Sequence, residues 1–344
     1  MKTFLISGGA GFIGANFTEL IINQGHRAVV LDALTYAGHL ENLEALSKNS
    51  QYKFVKADIR DQKAVAKVLA EEKIDFVVNF AAESHVDRSI ENPNIFVETN
   101  VMGVANMLSC SLAYYEKMAP AQKSQFRFVQ VSTDEVFGSL GDSGYFTEKT
   151  PYAPNSPYSA SKAAGDFLVR AWFHTYKLPT MTTNCSNNYG PRQFPEKLIP
   201  HMLNCALQEK ALPVYGNGKN VRDWIYVGDH CRGILRAIEK GNPGETYCFG
   251  GNSERDNLMV VKSICAILDK KIPRRNGSRY EDLIQFVEDR KGHDWRYAID
   301  DSKAVRELGF ERQYKNFEVG LEATLNWYLE NKKWMSDVLG KGKL

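Results

Sequence analysis

The chain has 344 residues, 43% of them hydrophobic and 24% charged, with a formal net charge of +2. That length supports a large buried core in one large domain or two intimate ones, and the near-balanced charge gives no argument for a nucleic-acid partner. No apolar stretch reaches the roughly 18 residues expected of a membrane span, and the first residues run straight into a glycine-rich turn rather than a signal peptide. The six cysteines form no Cys-x-x-Cys and the seven histidines no His-Glu-x-x-His. The expectation is a cytoplasmic protein with reduced, mostly buried thiols and no bound metal.

Residues 3–7 read as a first strand and 13–24 as an amphipathic helix. Between them, Gly8-Gly9-Ala10-Gly11-Phe12-Ile13-Gly14 holds a G-x-G-x-x-G from Gly9 and the wider G-x-x-G-x-x-G of Gly8, Gly11 and Gly14. Bare backbone can turn tightly and approach a pyrophosphate, which the N–H groups of the helix start would face. A second strand, 28–32, ends at Asp32. Its carboxylate can accept hydrogen bonds from the adenosine ribose hydroxyls and would repel a 2′-phosphate. No Arg or Lys follows closely, so NAD is expected over NADP. The plain alternative, a glycine-rich turn with a surface aspartate, leaves the matching strand, helix and distal acid unexplained.

A third strand, 52–56, leads to Asp58 and Ile59. There the acid either contacts the adenine or caps the helix expected over 62–72. The fourth strand, 76–80, runs into Ala81-Ala82-Glu83-Ser84, small residues that let a cofactor lie close to the sheet edge. In a long helix over 95–115, Thr99 and Asn100 either reach the cofactor or bridge strands. Strand 126–131, helix 158–176 and strand 180–185 follow. Continuous apolar strands separated by helices imply a parallel sheet covered on both faces, the doubly wound Rossmann-type α/β fold. Beyond 186 the pattern loosens into turn-rich stretches at 187–191 and 215–218. A helix at 229–240 and a strand at 246–249 return to the sheet. The expected division is an NAD-binding domain over 1–186, with a returning segment at about 221–250. A smaller α/β substrate-binding domain takes 187–220 and 251–344.

Tyr158 and Lys162 lie four apart, so on a helix they share one face. An ammonium beside a phenol favours the phenolate, so Lys162 is expected to lower the pKa of Tyr158 and to bond the nicotinamide ribose. Tyr158 would then accept a substrate hydroxyl proton while NAD accepts the hydride. Tyr-x-x-x-Lys is common by chance; after strand five of a dinucleotide fold it carries weight. Ser132-Thr133-Asp134-Glu135 closes that fifth strand. Thr133 suits the reacting oxygen. Most Asp-Glu pairs cap helices or sit in solvent, but ligands bind at the carboxyl ends of open α/β sheets. Two adjacent carboxyls in a dry cleft do not both ionise easily, so one can act as acid and the other as base. A ketone at C4 of a sugar acidifies the C5 hydrogen. A carboxylate can then remove that hydrogen, the C6 hydroxyl can leave as water, and the hydride can return to C6.

At these residues the chain resembles the dTDP-glucose 4,6-dehydratase family of the extended short-chain dehydrogenase/reductase superfamily. The matching stretches are 7–14, 81–89 (AAESHVDRS), 131–140 (VSTDEVFGSL), 151–162 (PYAPNSPYSASK), 184–200, 220–229 (NVRDWIYVGD) and 289–300 (DRKGHDWRYAID). The resemblance implies that Tyr158 is the redox base, Glu135 removes the C5 proton, Asp134 protonates the C6 hydroxyl and Thr133 orients the C4 oxygen. It places the nucleotide sugar on Ser84, Asn188, Lys197, Leu198, Pro213, Tyr215, Arg222, Asn257, Arg290 and His293. Arg222 and Arg290 suit a diphosphate as planar donors, and Pro213 and Tyr215 offer a surface for a base. It also implies a homodimer, with the helices at about 95–115 and 158–176 pairing in a four-helix contact. Phe137, Lys291 and Trp295 depart from the family's usual pattern, and none removes a catalytic group.

Overall fold

The computed structural model describes residues 1–289 and 292–341. The chain runs β1 (Thr3–Ser7), α1 (Phe12–Asn23), β2 (Arg27–Asp32), a 3-10 segment (Leu40–Leu46), β3 (Tyr52–Lys56), α2 (Gln62–Glu72) and β4 (Phe76–Asn79). Three helices follow, α3 (Val86–Glu91), α4 (Pro93–Val97) and α5 (Val104–Glu116), the last two joined by a π-helical stretch (Glu98–Gly103). After the short α6 (Pro120–Lys123) come β5 (Arg127–Thr133), α7 (Pro157–Tyr176) and β6 (Thr180–Cys185). The second half carries β7 (Asn187–Tyr189), α8 (Leu198–Leu207), β8 (Leu212–Tyr215), β9 (Val221–Tyr226), α9 (Val227–Lys240) and β10 (Thr246–Phe249). It ends with β11 (Glu254–Asp256), α10 (Asn257–Lys271), β12 (Ile284–Val287), α11 (Ser302–Leu308), α12 (Phe317–Glu330) and α13 (Lys332–Lys341).

Seven strands form one sheet in the order β10-β6-β5-β4-β1-β2-β3, and every pairing in it is parallel. Alternation along β1 shows why both faces need cover. Phe4 and Ile6 join a core with Phe17 and Ile21 of α1 and Ile234 of α9, while Leu5 joins Val65, Met107 and Val169 on the opposite face. The chain winds outward from β1 to β3, then returns to β4 beside β1 and winds the other way. The crevice for a ligand therefore opens at the carboxyl ends of β1 and β4. Below it a buried polar row crosses the sheet: Ser7 Oγ donates to Asn79 Oδ1 (2.6 Å) and Asn79 Nδ2 to Gln130 Oε1 (2.8 Å). A parallel sheet buried on both faces hides such groups from water, so each needs its neighbour.

Two readings of the sequence differ from what forms. The segment 187–191 contains a strand, β7, which pairs with β9; β9 also pairs with β11 in a separate three-stranded sheet. Residues 221–226 therefore do not return to the main sheet, and the return is made by α9 and β10. Helix 95–115 starts earlier, at Pro93, whose ring suits the first helical turn, and it is broken in register by the π stretch. From Pro93 to Glu116 it is long and apolar enough to cross a membrane by length and composition, with 44% of its apolar window buried in the fold. A further cluster, built by α8, α10 and α12 around Leu203, Ile264 and Leu325, forms the core of the smaller unit.

Candidate active site

The glycine-rich turn is shaped by contact. Gly8 adopts φ +70°, and a Cβ there would lie 2.5 Å from the amide nitrogen of Ala81; one at Gly14 would overlap the carbonyl oxygen of Gly8. Gly11 caps α1 without any side-chain hydrogen bond, so the N–H groups of the first turn face the cleft with no side chain to satisfy them. That is the donor set a pyrophosphate requires. Asp32 accepts from the Ala10 N–H (2.9 Å) and the Leu34 N–H (2.8 Å). Burial raises its pKa, and those two N–H bonds oppose the rise.

One cleft is lined by Gly8, Gly11, Phe12, Ile13, Gly14, Asp32, Asp58, Ile59, Ala81, Ala82, Ser84, Thr99, Thr133, Asp134, Glu135, Tyr158 and Lys162. Every residue expected at the cofactor and the reaction centre thus meets in one place. Asp58 is not the cap of α2; Asp61 is, accepting from the N–H groups of Lys63 and Ala64. Arg60 grips the Asp58 carboxylate from its backbone N–H and its guanidinium. Burial works against the charged form there, and the bonds from Arg60 outweigh it, leaving the pKa lowered. The open question between Thr99 and Asn100 resolves by position. Thr99 lines the cleft, whereas Asn100 is a bridge. Asn100 accepts from the Glu83 N–H (2.9 Å) and donates to the Glu83 carbonyl (3.0 Å) and Ser161 Oγ (2.9 Å). It fastens the loop after β4 to α7. Both residues lie in the π stretch, a feature that often marks functional sites.

At the reaction centre, Ser156 caps α7 and Tyr158 and Lys162 lie one turn apart on its buried face. Lys162 Nζ donates to the Val131 carbonyl at 2.7 Å. Burial lowers its pKa, and the charge of Asp166 opposes that. Tyr158 corrects an expectation. Its phenol is pushed well above the ordinary range by burial and then by the charge of Glu135, with the Thr133 hydroxyl acting the other way. The desolvation of a phenolate outweighs the help expected from Lys162. Asp134 is buried, and its pKa is raised well above the usual carboxylate range by burial, then by Glu135 and Asp223. Oδ1 accepts from Thr133 Oγ (3.3 Å), while Oδ2 has no hydrogen-bond partner among the described residues. Burial thus favours the protonated form of Asp134 in the cleft, a form able to donate a proton.

Glu135 borders this cleft and a second one, lined also by Ser84, Asn188, Lys197, Leu198, Pro213, Tyr215, Arg222, Asn257 and His293. All the residues expected at the nucleotide sugar line it except Arg290, which with Lys291 lies outside the described residues. Arg222 is held by the carbonyls of Val221 (2.8 Å) and Asp294 (2.9 Å), with its guanidinium 4.2 Å above the Tyr297 ring. Lys197 Nζ donates to the Ser84 carbonyl (3.1 Å), and His293 bonds Asp289 (2.7 Å). Trp295 does not line the cleft; its indole N–H donates to Asp142 (3.2 Å). Phe137 is buried against Phe146 and Tyr152, a site with no need of a hydroxyl.

Sequence reasoning missed several supports. Asp166 accepts from Ser132 Oγ (2.6 Å) and Tyr152 OH (3.1 Å), and burial pushes it up to about 6 against the charge of Lys162. Its place one turn beyond Lys162 was a usable signal. His230 bonds Asn188 Oδ1 (3.0 Å) from a fully buried position that lowers its pKa to about 3, so it holds Asn188 as a neutral ring. No local pattern announces that pairing.

Comparison with known proteins gives the same picture over nearly the whole chain. The family model described as GDP-mannose 4,6 dehydratase matches residues 5–324. A dTDP-glucose 4,6-dehydratase of Xanthomonas campestris pv. campestris is 56% identical over 98% of this chain and 96% of its own length. Among solved structures, dTDP-glucose 4,6-dehydratase of Bacillus anthracis in complex with NAD is 42% identical, with a TM-score of 0.87, and 98% of this chain and 100% of that one are covered. A double mutant of the Streptomyces venezuelae enzyme, solved with NAD bound, superposes with a TM-score of 0.88 at 41% identity, covering 98% of this chain and 100% of that one.

Proposed function

The chain belongs to the dTDP-glucose 4,6-dehydratase family, and we propose how its own residues carry that reaction. The protein is an NAD-dependent hydro-lyase that converts dTDP-glucose to dTDP-4-keto-6-deoxyglucose. NAD, when bound, supplies the redox chemistry by taking a hydride from C4 and returning it to C6. The residues fit it: a glycine turn that tolerates no Cβ, an uncapped helix start and a ribose-side Asp32.

In our reading, Tyr158 accepts the C4 hydroxyl proton in its phenolate form, which the positive charges of Lys162 and of the nicotinamide, when bound, would favour against the burial that raises its pKa, and Lys162 orients the ribose beside it. Glu135 removes the C5 proton and later protonates C5, after its own proton has had time to exchange with solvent. Asp134 protonates the departing C6 hydroxyl, which leaves as water. Over one turnover Tyr158 has gained a proton and Asp134 has lost one. Thr133, which interacts with both groups, is the short route between them. The observation that carries this assignment is the buried Asp134, whose Oδ2 has no hydrogen-bond partner among the described residues, beside Glu135, where the two clefts meet. A 4-epimerase on the same scaffold needs the tyrosine and lysine but neither carboxyl. Incubation with dTDP-glucose is expected to yield a 4-keto-6-deoxy product without net NADH. Recovery of dTDP-galactose would contradict the reading.

We extend the proposal to the assembly. Val97, Met102 and Phe167 are exposed on α4, the π stretch and α7. These helices pack on one another, and an apolar face of this kind supports a homodimer through a four-helix contact. The part of Pro93–Glu116 that the fold leaves open then faces a partner copy rather than lipid. A cytoplasmic location is consistent with six free cysteines, five of them buried.

A further inference from the structure

We propose that the last helix, α13, positions the cofactor turn: Trp334 orients the Asn42 carboxamide, and Asn42 orients the Ala10–Gly11 peptide. The inference rests on the NAD reading of the glycine-rich turn and adds to it residues far away in sequence. Trp334 Nε1 donates to Asn42 Oδ1 at 2.8 Å, across 292 residues of chain. Asn42 Nδ2 donates to the Ala10 carbonyl at 2.7 Å. The same carbonyl accepts the His39 N–H at 3.0 Å, and the Ala10 N–H is held by Asp32.

The orientation of Asn42 follows from chemistry. An indole N–H can only donate and a backbone carbonyl can only accept. A carboxamide between them satisfies both in one orientation alone, with oxygen toward Trp334 and nitrogen toward Ala10. Asn42 is 4% exposed and Trp334 9%, so solvent is a poor substitute for either partner. Without the indole N–H the buried Asn42 oxygen is left without its donor, and the carboxamide is held at one end only, by its bond to the Ala10 carbonyl. The peptide at stake is the one just before α1. Its N–H, that of Gly11, donates to the Gly8 carbonyl (3.1 Å), and Gly11 is the uncapped N-cap whose helix start faces the pyrophosphate site.

Trp334 belongs to the other unit of the molecule. Its ring packs on Trp327 and Tyr328 of α12, with centroids 5.1 Å and 5.8 Å away. The core of the smaller unit therefore reaches back to set the cofactor turn, and Trp334 and Asn42 are positioning residues for NAD.

The test uses the full-length holoprotein with Trp334→Phe, which keeps an aromatic ring and removes the N–H, Asn42→Ala, and the double variant. NAD release is expected to be about three- to tenfold faster in Trp334→Phe. The loss should appear in NAD affinity rather than in kcat at saturating NAD. On the Asn42→Ala background, Trp334→Phe should add nothing. Faster exchange of the Gly11 amide in Trp334→Phe gives an independent readout that does not need Asn42→Ala to fold. Wild-type NAD release in Trp334→Phe, or losses that multiply in the double variant, would overturn the proposal. A lowered unfolding midpoint with unchanged NAD release would mark a merely structural contact and overturn it as well. A wild-type protein that held no NAD would instead sink the reading of the glycine turn.

Discussion

Asp134 and Glu135 are adjacent in sequence but differ in surroundings, and the difference is what separates their chemistry. Asp134 sits in the sheet-end core, where an uncompensated charge is costly, so burial raises its pKa and favours the protonated form. Because its folded pKa lies above the unfolded value, folding takes up a proton at pH between the two. Its contribution to stability therefore falls as pH rises through that window. Asp134→Asn is expected to remove this slope and to raise the unfolding midpoint at neutral pH, while slowing loss of water from C6 by about 10²–10⁴-fold. A midpoint that drops in the variant would contradict the neutral-acid assignment. Glu135→Gln is expected to abolish exchange of the C5 hydrogen with solvent deuterium and to leave NAD affinity within about twofold of wild type. In the proposed proton path the hydroxyl is the part of Thr133 that acts. Thr133→Ser should retain most activity and Thr133→Val should lose it, which steady-state kinetics would check; equal rates would remove Thr133 from the proton path.

The elements around the site show what a sequence can and cannot announce. Strand ends and helix starts carrying glycine, Asp32, Thr133 and Tyr158 were legible because each obeys a short-range rule of turn, cap or period. The π stretch was not, since a one-residue change of register leaves no mark on apolar periodicity. Within it, Asn100 bonds the loop of Ala81–Ser84 while Thr99 lines the cleft. Asn100→Ala would leave the Glu83 peptide unsatisfied in a buried place, at a cost of about 1–3 kcal/mol for each such group. Thermal unfolding should show the loss, together with weaker NAD binding; a variant as stable as wild type would show that the bridge is dispensable. β7 was obscured for a related reason. Asn187-Asn188-Tyr189 reads as a turn by composition, and only its pairing with β9, more than thirty residues away, makes it a strand.

On the scale of the molecule, the sheet with its two covered faces and the smaller unit with its own core meet where Glu135 lines both clefts, and the proposed reaction lies at that meeting. The alternation of strands and helices made the larger core legible. The smaller one was only outlined, because its strands are short and its helices bury both against one another and against those short strands. Long-range pairs such as Asn188 with His230 and Asn42 with Trp334 have no sequence signature; they exist only once the two cores are docked. The exposed apolar helix face is a feature of the same scale. Phe167→Glu is expected to convert a dimer to a monomer in light scattering, and a wild-type monomer would remove the four-helix proposal. The proposed reaction is an internal hydride transfer between two carbons of one sugar. With dTDP-glucose deuterated at C4, the product should carry the label at C6, within the same molecule and without dilution by solvent. Label released to solvent, or found at C4 of an unchanged or epimerised sugar, would contradict it.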